Sequence, residues 1–127
     1  MLRLSFFVAA TSLVACGGAP REGGKCDTNG FSCADAASAL ECKAGLWAKL
    51  PCRGAGGCKR EADVVRCDMS ANTEGDSCAS TAAGRGLCTT DMMGTLECRD
   101  VMGNLQLVKT NTCRSCAVNG ENIVCSP

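Results

Sequence analysis

The chain has 127 residues, thirteen basic and thirteen acidic side chains, three Phe, one Trp and no Tyr. Balanced charge without a long Lys/Arg block excludes a nucleic-acid footprint, and so few aromatics exclude a large apolar core. Thirteen cysteines, about a tenth of all residues, place the chain among the disulfide scaffolds of oxidising compartments.

At the N-terminus, Met1-Leu2-Arg3 carries one positive charge, Leu4 to Val14 is an apolar run softened by Ser5, Thr11 and Ser12, and small Ala15 precedes Cys16. This is the layout of an export signal over residues 1–15. The apolar run of eleven residues is far shorter than the roughly 20 a membrane-crossing helix needs. Leu13-Val14-Ala15-Cys16 resembles the lipobox of bacterial lipoproteins: aliphatic, small or aliphatic, small, Cys. The resemblance implies a diacylglyceryl thioether on Cys16, cleavage just before it and N-acylation of the new terminus, so that the membrane is a partner through this anchor. The lipid is the only cofactor expected. Cysteine arithmetic points the same way, since setting Cys16 aside leaves twelve, enough for six bridges. Residue 17 is Gly, not the Asp that in such lipoproteins favours the inner membrane, which implies the outer one. Residues 16–25, with four glycines and a proline, are expected as a flexible tether.

The remaining cysteines, Cys26, Cys33, Cys42, Cys52, Cys58, Cys67, Cys78, Cys88, Cys98, Cys113, Cys116 and Cys125, fall into two sets of six. Their flanks repeat. Glu22-Gly23-Gly24-Lys25-Cys26 matches Glu74-Gly75-Asp76-Ser77-Cys78, and Leu40-Glu41-Cys42 matches Leu96-Glu97-Cys98. Eight residues separate Cys58 from Cys67 and Cys116 from Cys125, and each set has a β-type pair before its last cysteine, Val64-Val65 and Ile123-Val124. Two tandem modules follow, at 22–69 and 74–127, joined by the polar stretch 70–73. Six cysteines allow fifteen pairings per module, and spacing does not choose among them.

In the first module Ala39 to Cys42, a turn at Lys43-Ala44-Gly45 and Leu46 to Leu50 read as a hairpin, with Asp63 to Cys67 as a third strand. The second offers Gly94 to Cys98, a turn at Gly103-Asn104, Leu105 to Lys109, and Asn122 to Cys125. The expected fold is small, disulfide-rich and mainly β, each module a three-stranded antiparallel sheet with long loops. Ala34 to Ala39 could alternatively form one helical turn.

The chain contains no histidine, which removes Ser-His-Asp and Cys-His nucleophiles and the commonest zinc ligand. Carboxylate pairs such as Asp35 with Glu41 offer an acid and a base, but nothing in the sequence positions them in a pocket. Cys113-Arg114-Ser115-Cys116 has the C-x-x-C form of a redox or zinc site, but no second pair or thioredoxin-like context accompanies it. Structural disulfides are therefore expected, with no metal site and no catalysis. Trp47 is open to two readings: a cap on the core of its module, or an exposed indole that stacks on a sugar ring or seats a protein beside Lys49, Arg53, Lys59 and Arg60. The expectation for function is a lipid-anchored structural or interaction module of the cell envelope. The alternatives are a surface binder of polysaccharide or an extracellular protein through Trp47, Lys49 and Arg53, and a protease inhibitor whose reactive loop is Arg53 to Gly57. The glycines of that loop read as soft.

Overall fold

Short turns separate most of the β-type runs, so neighbouring runs pair as antiparallel hairpins. The computed structural model describes residues 18–127; the export signal, the lipobox and Cys16 lie outside them. Strands β1 (Phe31–Asp35), β2 (Ser38–Lys43) and β3 (Leu46–Pro51) form one three-stranded sheet, and β4 (Cys58–Glu61) and β5 (Val64–Cys67) a separate hairpin. After a single 3-10 turn at Ser80–Ala82 the pattern returns. A second sheet is built from β6 (Gly86–Cys88), β7 (Gly94–Val101) and β8 (Asn104–Thr112), and a second hairpin from β9 (Ser115–Asn119) and β10 (Asn122–Ser126).

The expected third strands are therefore placed differently. Val64–Cys67 pairs with β4, and Asn122–Ser126 with β9, while β1 and β6 complete the sheets. Ala34 to Ala39 is not helical. The Asp35 carboxylate accepts the Ala37 N–H at 2.8 Å, and this local bond closes a turn between strands in competition with helix. Asp91 does the same for the Met93 N–H at 2.9 Å. The β7–β8 turn falls on Met102-Gly103, one residue earlier than expected; both residues have positive φ, as do Ala44 and Gly45 in the β2–β3 turn.

All twelve described cysteines are bridged. Numbered within each set, Cys26–Cys42, Cys33–Cys58 and Cys52–Cys67 join first to third, second to fifth and fourth to sixth. Cys78–Cys98, Cys88–Cys116 and Cys113–Cys125 repeat that connectivity. Eight of the fourteen buried apolar side chains are cysteines, so in place of large hydrophobes the bridges themselves form much of the core. Residues 36 and 37 explain how each hairpin seats on its sheet: the Cys52 and Cys58 N–H groups donate to the Ala37 and Ala36 carbonyls, as those of Cys113 and Cys116 do to Met93 and Met92.

The repeated E-G-x-x-C stretch also has a structural role. The Gly23 N–H donates to the Trp47 carbonyl and the Trp47 N–H to the Gly24 carbonyl, both at 2.8 Å; Gly75, Leu107 and Asp76 repeat the arrangement at 2.8 and 2.9 Å. The stretch thus lies along the outer edge of β3 or β8. Its glycine takes a positive φ (75° at Gly23, 88° at Gly75), which is easy only without a side chain. This pairing draws Gly23–Lys25 out of the expected tether and onto the sheet.

Candidate functional site

The halves meet at a joint built on the face of β2 and β3. Ala39, Leu50, Cys52 and Cys58 pack there against Ala79 from the second half, with Phe31, Val65 and Ala82 around them. Glu41 lies among these groups and is only 4% exposed. Its carboxylate accepts the Ser80 N–H at 3.1 Å and the Ser80 hydroxyl, and pairs with the Lys43 ammonium at 3.1 Å. A carboxylate so buried persists because donors surround it.

Two further contacts lock the joint. Asn72, fully buried in the stretch expected to be a simple linker, accepts the Arg53 N–H at 3.0 Å and donates to the Pro51 carbonyl at 2.8 Å. The Arg53 guanidinium forks onto Asp76 at 2.7 and 2.9 Å. Those bonds hold the Asp76 carboxyl below the usual carboxylate range and raise the Arg53 guanidinium.

The loop from Arg53 to Gly57 is not soft. It wraps the Asp68 carboxylate, which accepts the Gly56 N–H at 2.9 Å and the Ser70 N–H at 3.0 Å; bonds from Ser70 and Gly56 hold that carboxyl low. A Cβ on Gly54 would stand 2.1 Å from Asp68, and one on Gly57, where φ is +57°, 2.1 Å from the Ala36 carbonyl. The glycines answer close approach, which composition alone does not reveal.

These contacts assign the candidate residues. Arg53 is engaged with Asp76 across the joint, with its side chain 54% exposed. Asp35 caps a turn and Glu41 serves the joint, so the two have separate structural work. Cys113 and Cys116 bond to different partners, Cys125 and Cys88, so the C-x-x-C is not a redox pair. Lys49 lines the cleft at the joint beside Ser77 and Asp100, whereas Trp47 lines a separate depression with Pro20, Arg21 and Lys25. Lys59 and Arg60 are exposed on β4, where Lys59 stands opposite Arg66, itself paired to Glu61 at 2.6 Å. Lys59 and Arg60 thus lie on a different sheet from the indole. Its basic neighbours are Arg21 and Lys25, which the E-G-x-x-C repeat could have indicated had its pairing with β3 been legible.

In comparison with known proteins, no family model, no curated protein and no solved structure matches this chain. Function is therefore argued from its own chemistry. Among the described residues no group of three His, Cys, Asp or Glu is placed to hold a metal ion, and every cysteine there is a disulfide sulfur with no thiolate to offer. Among them too, no helix is long and apolar enough to cross a membrane. What the described surface does offer is a half-buried indole on the sheet edge nearest the N-terminus.

Proposed function

We propose that the protein is an exported lipoprotein, acylated on Cys16 and held on the cell envelope at the outer membrane, whose two six-cysteine modules at 22–69 and 74–127 form a non-catalytic structural or interaction unit. The observation that carries this reading is the closed pairing of the twelve other cysteines. They use one another completely, which leaves Cys16 no cysteine of its own chain to bridge and suits it to a thioether. The bridges themselves belong to an oxidising compartment. Two or three acyl chains on one residue make anchoring durable where one is marginal.

The modular reading draws support from the shared connectivity, the shared Asp turn and the shared edge pairing of E-G-x-x-C. The connectivity and the Asp turn recur without reference to the flanking residues that first suggested the repeat, and the edge pairing gives one of those flanks, E-G-x-x-C, the same structural role in both halves.

Labelling with radioactive palmitate in a bacterial host tests the anchor. Wild type incorporates label and fractionates with the outer membrane, whereas Cys16→Ala accumulates as unlabelled, uncleaved precursor. Full labelling of Cys16→Ala would overturn the assignment.

A further inference from the structure

The proposed anchor, Cys16, lies two residues before Gly18, which lines the same depression as Trp47. We propose that the Trp47 edge of the first module rests on the lipid headgroups, so that the protein lies against its membrane instead of standing off it on a tether. This rests on the acylation of Cys16 and adds to it the surface that meets the bilayer.

Chain geometry carries the argument. Residues 18–21 have no regular structure, yet Gly18, Pro20 and Arg21 already line the depression occupied by Trp47. Two residues span at most about 7 Å, so Gly18 cannot lie farther than that from an acylated Cys16. The headgroup layer on each face of a bilayer is about 5–7 Å deep. With the lipidated residue at the base of that layer, Gly18 stands at headgroup level, and Trp47 lines the same depression. The edge bonds from Gly23 and Gly24 to Trp47 prevent the module from drifting away on a longer leash.

The chemistry of this edge suits an interface. Indole is the side chain best fitted to the headgroup zone, apolar in body with one N–H for water or phosphate. Leu46, beside it on β3 and paired with Lys25, is 51% exposed. Arg21 and Lys25 can lay their aliphatic stems on lipid while their cations meet phosphate. The second half supplies an internal comparison. The positions matching Leu46 and Trp47 are Gln106, paired with Ser77, and Leu107, which is 1% exposed. Only the half next to the anchor presents an aromatic and an exposed leucine there.

Trp47 is the only tryptophan, so its fluorescence reports on this edge alone. The full acylated protein, purified in detergent, is reconstituted into phosphatidylethanolamine–phosphatidylglycerol vesicles with and without lipids brominated near the glycerol, and the same sample is weighed by intact mass spectrometry. The expected result is blue-shifted emission, shielded from acrylamide and strongly quenched by the brominated lipid, with Leu46→Gln reducing that quenching. Acyl mass on Cys16 together with Trp47 open to acrylamide and indifferent to bromine overturns the resting surface while leaving the anchor intact. Absence of acyl mass overturns the anchor, and this inference with it.

Discussion

Replacing Glu41 tests whether the joint is held by a buried carboxylate. Its side chain is 5% exposed and meets the Ser80 N–H, the Ser80 hydroxyl and Lys43. Hydrogen bonds to a charged group contribute about 1.5–3 kcal/mol each, and removing one partner of a buried ion pair costs about 3–5 kcal/mol. Lys43 is 37% exposed and regains water, so Glu41→Ala belongs below that range, at about 2–4 kcal/mol. Glu41→Gln keeps the shape and one acceptor oxygen and should lose about 1–2 kcal/mol, since charge-assisted bonds are about twice as strong as neutral ones. The matching residue Glu97 pairs with Arg99 at 2.9 Å but is 32% exposed and has no counterpart of Ser80, so Glu97→Ala should cost a small fraction of the Glu41→Ala loss. The assay is urea unfolding with disulfides intact, followed by Trp47 emission, with a Glu41/Ser80 double-mutant cycle whose coupling should be about 1–2 kcal/mol. Equal losses for the two glutamates, or zero coupling to Ser80, would refute a carboxylate-held joint.

Acid should loosen the protein in a defined window. Asp35, Asp68, Asp76 and Asp91 are all held below the ordinary carboxylate range, chiefly by hydrogen bonds from Ala37, Ser70, Arg53 and Thr89 respectively. Carboxyls with depressed folded-state values lend stability that is complete above their unfolded value of about 3.9 and is lost as pH falls through the folded values. Melting temperature should therefore fall below about pH 4 through these groups, and a rise on acidification from pH 4 to 2 would contradict their assigned bonds. Gly57→Ala, combining positive φ with a clash on the Ala36 carbonyl, should cost about 3 kcal/mol, against about 1 kcal/mol for Gly120→Ala, where φ is positive but space is open; equal melting temperatures for the two variants would disprove the crowding. Digestion without reduction, followed by mass spectrometry, should yield Cys33 linked to Cys58 and Cys88 linked to Cys116, and a Cys113–Cys116 linked peptide would overturn the connectivity.

Much of the frame was legible from spacing and turns. Ala39 to Cys42 and Leu46 to Leu50 pair as a hairpin around Ala44-Gly45, as alternation and a glycine turn dictate. Strands β1 and β6 were not legible, because Phe31–Asp35 and Gly86–Cys88 are short and hold too few apolar residues to show a period of two. Their strand character comes from partners: β2 and β7 on one side, and the bridges from Cys33 and Cys88 on the other. Arg53 to Gly57 misled for a related reason. Glycine reads as flexibility unless a neighbour such as Asp68 is known to occupy the space a side chain would need. Glu41 looked like a candidate acid because charge is visible in sequence while burial by a segment 39 residues away is not.

The two halves differ where one meets the other. Their shared features, six bridges, two Asp turns and two glycine edges, satisfy each half within itself. The joint needs one half to receive and the other to insert: Ala39 and Leu50 receive Ala79, while the second sheet has the hydrogen-bonded Thr95, Thr110 and Asn111 in the corresponding region. At the other end, the position that in the second half is a buried leucine is a half-buried tryptophan beside the chain leading back to Cys16. Under the proposed anchoring, the first module is specialised at both ends, toward lipid and toward its neighbour. The second is left with its outer surface turned to the surroundings, and Met102, 96% exposed at the β7–β8 turn, is its most prominent apolar feature.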